Sequence, residues 1–358
     1  MALAMLLTGC GSNSDKLVLN VYNWGEFIAD GTDGTMDIVS EFEDWYEEEY
    51  GVPVQVNYST FSSNEDMYNK ISTGAVSYDI IVPSDYMIAR MAEEGLLQPI
   101  NFDNIPNYQY IDEEFRNLYY DPDNMYSIPY AYGIVGILYD ANVVAEEDIG
   151  GWDILWNEKY SNKILQYNNS RDALGTAMYM LDIDVNTTDK TEWDRAYYAL
   201  EKQRPLVKSY VMDEIYNMMQ AGEAAVASYY VGDYLMMRDA RAEHVDLQFY
   251  YPEPTNFYVD AMCIPTSAQN KELAEIFINF LLSEEVAIEN AEYIYCSIPN
   301  SLVYENEDYI EYMGEEVMEL LYPEMDSFVE LYNKYAYRNL DAETLDYINT
   351  LWEKVKIN

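Results

Sequence analysis

From residue 17 onward, the sequence alternates between segments with strand-like and helix-like patterns of apolar residues. Residues 17–23 alternate apolar and polar positions, and the apolar residues of 38–46 follow at helical spacing. A second strand is predicted at 52–60 (VPVQVNYST), a helix ending on glycine at 67–74 (MYNKISTG), and a buried strand at 78–84 (YDIIVPS). This β-α-β-α-β order predicts a parallel sheet with helices on both faces, whose ligand site lies at the carboxyl ends of the strands.

Two later apolar segments are typical of strands that pass between two parts of a molecule. They are YSIPYAYGIVGILYD at 126–140 and NFYVDAMCIP at 256–265. We interpret both as crossings, which predicts two α/β lobes, each with a mostly parallel sheet, joined by paired strands around a cleft that closes by hinge bending. The expected division is a signal and tether at 1–16, lobe 1 at 17–131 plus 259–300, and lobe 2 at 132–258 plus 301–358.

Two further elements of the second half have clear patterns. Residues 224–234 (AAVASYYVGDY) predict a strand. Residues 271–292 (KELAEIFINFLLSEEVAIENAE) predict one long amphipathic helix, with Leu273, Ile276 and Phe280 on its apolar stripe.

The chain is strongly acidic and rich in tyrosine. Sixty-five Asp and Glu against 19 Lys and Arg give a formal charge of −46, which repels nucleic acids and anionic lipids and favours a cationic partner. The alternative, that the acidic residues keep the protein soluble, accounts for most of the surplus. The 38 tyrosines add aromatic faces that attract ammonium groups.

Several kinds of chemistry have no support in the sequence. The only histidine, His244, lies in a charged segment typical of a surface, and neither a G-x-x-x-x-G-K-[ST] nor a G-x-G-x-x-G motif occurs. We therefore expect no cofactor, no metal and no catalysis, although a pair of carboxylates of the glycosidase kind stays open in so acidic a chain. No C-x-x-C pair occurs, and Cys263 and Cys296 are expected to be buried free thiols rather than a disulfide.

The first residues resemble the leader of a bacterial lipoprotein. An apolar stretch ends in Leu7-Thr8-Gly9-Cys10, and a polar Gly/Ser/Asn/Asp segment follows at once. The resemblance implies export, lipidation of Cys10, and attachment to the outer face of the cytoplasmic membrane by lipid alone, or release into the periplasm. A chance match is the alternative, because no Lys or Arg precedes Cys10.

A series of motifs resembles the substrate-binding proteins of spermidine/putrescine ABC transporters. They occur in the same order and at nearly the same spacing from about residue 17 to 300: YNWGEF, STFSSNEDMYNKI, YDIIVPSDYMIARMAEEGLLQPI, YSIPYAYGIVGI, WDILWNEKY, NTTD, FYVDAMCIPTSAQN and EIFINFLL. The resemblance implies a two-lobed class II periplasmic-binding-protein fold. It also implies a monomer that captures a polyamine and delivers it to the permease subunits of an ABC transporter.

The resemblance also implies ligand residues. They are Trp24, Glu26, Phe27, Ser84, Tyr86, Asn169, Asp172, Tyr230, Tyr258 and Asp260. This chain departs from the family where Asn169 replaces an aspartate, where Tyr230 and Tyr258 replace tryptophans, and where Gly25 replaces a residue that can form hydrogen bonds. Three named carboxylates leave putrescine and spermidine both open. A sugar in the same fold and a surface hydrolase with two carboxylates are the alternative functions.

Overall fold

The computed structural model describes residues 16–323 and 328–357, which contain nine strands and fourteen α-helices. The strands are β1 (Leu17–Trp24), β2 (Val54–Phe61), β3 (Ile80–Ile81), β4 (Ser127–Asp140), β5 (Ile164–Tyr167), β6 (Val207–Val211), β7 (Val226–Tyr230), β8 (Leu247–Tyr250) and β9 (Phe257–Cys263). The helices are α1 (Ile38–Tyr50), α2 (Asn64–Ser72), α3 (Asp85–Glu93), α4 (Ser170–Met180), α5 (Lys190–Gln203), α6 (Glu214–Gln220), α7 (Val231–Asp239), α8 (Lys271–Leu281), α9 (Glu284–Ile294), α10 (Ser301–Tyr304), α11 (Glu307–Met313), α12 (Glu315–Leu321), α13 (Phe328–Tyr335) and α14 (Ala342–Ile357).

The strands of the described residues form one continuous sheet in the order β2-β1-β3-β9-β4-β7-β5-β6, with β8 also paired to β4. Strands β1, β2 and β3 are parallel to one another, as are β5, β6 and β7. Strand β4 joins these two parallel groups: its first half pairs antiparallel with β9, and its second half pairs antiparallel with β7 and β8. The crossing strands predicted at 126–140 and 256–265 are present as β4 and β9, but their antiparallel pairing and strand β8 were not predicted.

The β-α-β-α-β order predicted for the first 84 residues is confirmed, and local capping explains where its helices begin and end. The N-cap of helix α1 is Asp37, whose carboxylate accepts a hydrogen bond from the backbone N–H of Ser40, 3.1 Å away. The helix ends at Gly51, whose positive φ of 69° suits glycine. The N-cap of helix α2 is Ser63, whose hydroxyl accepts a hydrogen bond from the backbone N–H of Asp66 at 3.2 Å.

Two predictions for the second half were wrong in extent. The strand predicted at 224–234 ends at Tyr230, and α7 begins with the next residue. Gly232 lets this first turn pack tightly, since a Cβ there would lie 2.6 Å from the carbonyl oxygen of Tyr295. The long helix predicted at 271–292 is two helices, because Ser283 is extended and its hydroxyl bonds back to the carbonyl oxygen of Phe280 at 2.6 Å.

The described residues after 300 pack against helices that follow strands of both parallel groups and against β9. Helix α14 packs on α4 and α5, and α12 packs on α7, whereas α13 packs on β9. The hydroxyl of Tyr332 in α13 donates to Asp85 at 2.8 Å. The lobe boundaries given above stay a proposal, because the described residues after 300 contact elements of both expected lobes.

Two further findings concern cysteines and membrane helices. Cys263 and Cys296 are both buried and free, as the sequence favoured. Cys10 lies outside the described residues. Over 16–323 and 328–357, no helix is both long and apolar enough to cross a membrane.

Candidate ligand-binding cleft

A cavity of about 970 Å³, which includes space open to solvent, lies between the two parallel groups of strands. Its walls come from the carboxyl ends of β1, β3, β5 and β7, the edge of the sheet at which the sequence predicted a ligand site. All ten residues predicted as ligand contacts line it: Trp24, Glu26, Phe27, Ser84, Tyr86, Asn169, Asp172, Tyr230, Tyr258 and Asp260. Their contacts with a ligand stay a prediction.

Seven of the described lining residues are carboxylic acids, and none is Lys or Arg. The seven are Glu26, Glu65, Asp85, Asp172, Asp213, Asp233 and Asp260. Four of them, Glu65, Asp85, Asp213 and Asp233, were not among the predicted site residues. A cavity with this many acidic groups and no basic lining residue favours a cation.

Asp260 lies on β9, lines the cavity and is 5% exposed. The hydroxyl of Ser84 donates to its Oδ1 at 2.6 Å, and the amide of Asn64 in turn donates to the Ser84 hydroxyl at 3.0 Å. The pKa of Asp260 is raised to about 8, mainly by burial and to a smaller extent by the nearby carboxylates of Asp85 and Asp233, whereas the hydrogen bond from Ser84 lowers it. The charged form is therefore disfavoured until a cation arrives.

Asp85, the first residue of α3, is buried behind Asp260. Its carboxylate accepts hydrogen bonds from the hydroxyl of Tyr332 at 2.8 Å and from the backbone N–H groups of Tyr86 at 2.6 Å and Val259 at 3.3 Å. Burial nevertheless raises the pKa of Asp85 to about 7. Because its bonds link three segments of the chain, Asp85 positions this wall and also adds negative potential to the cavity.

Asp172 lies in the first turn of α4 and is held by two side chains that were predicted as ligand contacts. The amide nitrogen of Asn169 donates to its Oδ2 at 2.7 Å, and the hydroxyl of Tyr230 donates to the same oxygen at 3.1 Å. Burial raises the pKa of Asp172. Asn169 also caps α4, because its Oδ1 accepts a hydrogen bond from the backbone N–H of Asp172 at 2.8 Å. The two bonds together fix the amide group of Asn169, which orients the Asp172 carboxylate.

Glu65 adds a second carboxylate near Asp172. The hydroxyl of Tyr86 donates to its Oε1 at 3.0 Å. Burial raises the pKa of Glu65, and the charge of Asp172 raises it further. The guanidinium of Arg171 lies behind this wall, 4.6 Å from the ring centroid of Tyr337, and lowers the pKa of Glu65.

The turn after β1 carries Gly25 and Glu26 at the exposed mouth of the cavity. Glu26 has a positive φ of 52°, and its Oε2 accepts a hydrogen bond from the hydroxyl of Tyr293 at 3.0 Å. Asp213 approaches from the other side, because a Cβ added to Gly25 would lie 3.7 Å from its Oδ2. Burial raises the pKa of Asp213, and the charges of Glu214 and Glu26 raise it further.

Aromatic rings form the apolar walls. The rings of Tyr230 and Tyr258 meet edge to face at 5.3 Å between centroids, and Trp24 packs on Phe61 at 4.4 Å. The ring of Phe27 meets Tyr130 at 5.4 Å. The indole N–H of Trp24 is buried and has no hydrogen-bond partner among the described residues. These walls suit methylene groups, and their ring faces suit ammonium groups.

The carboxylates act on one another across the cavity. Asp172 raises the pKa of Glu65, Asp85 and Asp233 raise that of Asp260, and Asp213 and Glu26 raise that of Asp233. Acidic groups that are spread along an aromatic-walled cavity can bind a linear molecule carrying several separated positive charges.

The sequence contained partial signals for the residues that were missed. Glu65 and Asp85 fall inside motifs that support the family resemblance, STFSSNEDMYNKI and VPSDY. Asp213 and Asp233 follow the ends of β6 and β7, where a site was expected, but the strand predicted through residue 234 concealed Asp233. Tyr337, which also lines the cavity, lies where the family resemblance thins.

Comparison with known proteins identifies the family of this chain. Residues 38–314 match the family described as bacterial extracellular solute-binding protein. The spermidine/putrescine-binding periplasmic protein of Salmonella typhimurium is 34% identical over 291 residues, which are 80% of this chain and 79% of that protein. The putrescine-binding periplasmic protein SpuD of Pseudomonas aeruginosa is 27% identical over 382 residues, covering 99% of this chain and 96% of that protein.

Solved structures agree with the sequence relatives. A putative spermidine/putrescine ABC transporter protein from Listeria monocytogenes is 36% identical with a TM-score of 0.82, covering 95% of this chain and 99% of that chain. The spermidine/putrescine ABC transporter substrate-binding protein PotD from Streptococcus pneumoniae is 33% identical with a TM-score of 0.73, covering 96% and 99%. The predicted two-lobed α/β binding-protein fold and the family resemblance are both confirmed. The chain therefore belongs to the bacterial extracellular solute-binding proteins.

Proposed function

We propose that this protein captures a polyamine outside the cytoplasm and delivers it to the permease of an ABC transporter, without catalysing a reaction. The observation that carries the proposal is the cavity lined by seven carboxylic acids, several aromatic rings and no described Lys or Arg. A linear polyamine matches this lining, because its ammonium groups are separated by apolar methylenes. Relatives of similar sequence are named as spermidine/putrescine-binding or putrescine-binding periplasmic proteins, which supports the proposal.

The binding energy expected from such a site is sufficient for capture. Two charge-assisted contacts contribute about 1.5 to 3 kcal/mol each, and each ring face adds about 0.5 to 2 kcal/mol. Their sum reaches the roughly 8 kcal/mol of a micromolar complex. Closure of the two lobes around the bound amine would then distinguish loaded from empty protein for the permease.

Attachment to the membrane and the oligomeric state belong to the same proposal. We propose that Cys10 carries a lipid that holds the protein at the outer face of the cytoplasmic membrane, and that the protein is a monomer. Mass spectrometry of the N-terminal peptide tests the first statement, since an unmodified Cys10 in the membrane fraction would contradict it. Light scattering of the loaded protein tests the second.

Titration calorimetry with putrescine, spermidine and spermine tests the ligand class. We expect at least one of them to bind in the micromolar range or tighter, with affinity that falls as salt rises because the contacts are between charges. A panel of neutral sugars and glycosides serves as the control. Millimolar or weaker binding of all three amines would overturn the proposal, tight sugar binding would favour the sugar alternative, and glycoside turnover would favour the hydrolase.

Replacement of Gly133 by Ala is expected to weaken amine binding about tenfold. Gly133 pairs with Tyr258 across β4 and β9, and a Cβ there would lie 2.5 Å from the Tyr258 hydroxyl oxygen. The Tyr258 ring must therefore move, and the site loses one aromatic contact of about 1.4 kcal/mol. Calorimetry measures the loss. In a Tyr258→Ala background the same change should have little further effect, and an equal loss there would contradict this explanation.

A further inference from the structure

Arg171, in the first turn of α4, is a buried arginine that is only 3% exposed. Its Nη2 donates hydrogen bonds to the Oδ1 of Asn186 at 3.0 Å and to the carbonyl oxygen of Arg338 at 3.3 Å. Its Nε and Nη1 are also buried, and neither has a hydrogen-bond partner within 16–323 and 328–357. No carboxylate of these residues forms an ion pair with it. A buried cation without a direct counter-ion is costly unless negative charge lies nearby.

An ordinary role for this side chain is to tie α4 to the residues that follow α13. The Oδ1 of Asn186 also accepts a hydrogen bond from the backbone N–H of Arg338 at 2.8 Å, so the bonds of Arg171 belong to a local structural contact. That contact uses only Nη2 and leaves the other two guanidinium nitrogens without a partner among the described residues. It therefore explains the position of the side chain but not why a charged group is buried there.

The guanidinium contacts two aromatic rings of the cleft. Its Cζ lies 4.6 Å from the ring centroid of Tyr337 and 6.0 Å from that of Tyr86. Both tyrosines line the cavity, whereas Arg171 is not among the described lining residues. The hydroxyl of Tyr86 donates to Glu65 at 3.0 Å, and Asp172 is the next residue of the chain after Arg171. The charge of Arg171 therefore lies close to two acids of the cavity without lining it.

This charge opposes the effect of burial on the nearby acids. Burial raises the pKa values of Glu65 and Asp172, and the charge of Arg171 lowers both of them. It acts in the same direction on Asp85. The pKa of Asp260, by contrast, is raised to about 8 by burial and by two nearby carboxylates. The wall in front of Arg171 thus differs in charge state from the wall that carries Asp260.

The other titratable groups near Arg171 are tyrosines in the described part of the chain. Burial raises the pKa of each, and the charge of Arg171 lowers it: Tyr86, Tyr119, Tyr179 and Tyr337. A second cation, Arg338, has its Cζ 4.4 Å from the ring centroid of Tyr119. Neutral tyrosines supply no counter-charge, so the acids balance the buried guanidinium.

We infer that Arg171 is a positioning residue for amine binding, whose buried charge keeps Glu65 and Asp172 charged in the empty cleft. These two acids then release no proton when an ammonium group arrives, whereas Asp260 does. The inference rests on the polyamine function proposed above and deepens it.

The test is calorimetry of the full chain with spermidine at pH 8.5 and pH 6.0, on the native protein and on Arg171→Met. Without the guanidinium the pKa values of Glu65 and Asp172 rise, so binding must displace additional protons as the pH falls. We expect Arg171→Met to bind about tenfold more weakly than native at pH 6.0 and within about threefold of native at pH 8.5, where these acids are charged in both proteins. A loss of equal size at both pH values, or no loss at pH 6.0, would overturn the inference.

Two further variants separate charge from structure. Arg171→Lys keeps the charge and should follow the native dependence of affinity on pH. Asn186→Ala removes a hydrogen-bond partner of Nη2 and keeps the charge, so it should lower the melting temperature and leave the pH dependence as in native. If either variant shows the pH dependence expected of Arg171→Met, the guanidinium acts through its contacts rather than its charge, and the inference fails.

A measurement on the empty native protein needs neither a ligand nor a variant, and it also decides the question if Arg171→Met does not fold. In a carboxyl-carbon NMR titration, we expect Glu65 and Asp172 to be charged at pH 7 while Asp260 still carries its proton. Protons on Glu65 and Asp172 at pH 7 would overturn the inference. If the native protein binds no amine but these acids titrate as expected, the polyamine function fails and the electrostatic role of Arg171 is retained.

Discussion

We expect replacement of Asp260 by Asn to weaken polyamine binding about 100-fold in calorimetry at pH 7.5. This loss corresponds to about 2.7 kcal/mol of binding free energy. Asp260 is buried near Asp85 and Asp233, and within the part of the chain that the structure describes its carboxylate accepts one side-chain hydrogen bond, from Ser84. An ammonium group beside the neutral amide would be desolvated without a counter-charge, and losing one partner of a buried charged pair costs about 2 to 5 kcal/mol.

The stability of this variant separates a binding defect from misfolding. Burial and the neighbouring acids disfavour the charged form of Asp260, since its pKa is about 8. The empty Asp260→Asn protein should therefore unfold at the same temperature as the native protein or a higher one. Asp308→Asn, which removes one charge from the exposed first turn of α11, should leave the affinity unchanged. Binding of the Asp260→Asn variant within threefold of native would contradict Asp260 as an ammonium partner and would favour a neutral ligand.

The second large expected effect is a dependence of polyamine affinity on pH. The pKa values of Asp260, Asp85 and Asp233 are raised to about 8, 7 and 6, so the empty cleft holds protons at neutral pH. A bound polycation favours the charged carboxylates and must displace these protons. Affinity is therefore fully present above the raised pKa values and falls as the pH drops through them, by about tenfold per pH unit for each proton released. From Asp260 alone, we expect about a 100-fold loss between pH 7.5 and pH 5.5.

Calorimetry in buffers with different ionisation enthalpies measures the protons directly. At pH 7 we expect release of about one proton per bound amine from Asp260, with a further contribution from Asp85. The Asp260→Asn variant is the matched control, because it should release about one proton fewer. Binding without proton release, or with an affinity that stays flat from pH 7.5 to 5.5, would show that the acids are already charged in the empty cleft.

Local patterns predicted the elements well where one period ran without interruption. Strands and helices alternate from residue 17 to the buried strand at 80–81. This order follows from hydrophobic periods of two and 3.6 residues and from helix caps at Asp37 and Ser63. The break at Ser283 and the end of β7 at Tyr230 were missed because apolar residues continue through both. At the end of β7, the packing of Gly232 against the backbone of Tyr295 decides where the strand gives way to α7, and no local pattern encodes that contact.

The predicted site was incomplete for a different reason. The ten residues carried over from the family all line one cavity, but in this chain Asn169 orients Asp172, and four additional acids line the same space. Single acidic residues in a chain with 65 of them carry no signal of their own. Asp213 and Asp233 become notable only beside Glu26, from which they are remote in sequence.

The sequence by itself determined the order of strands and helices, the acidic and aromatic character of the chain, and its family, because these depend on local periodicity, composition and motif order. Only the tertiary structure decided which acids meet in the cleft, that strand β4 pairs antiparallel with β7, β8 and β9, and that the pKa of Asp260 is raised to about 8. Burial and proximity raise that pKa, and both arise only when distant segments pack together.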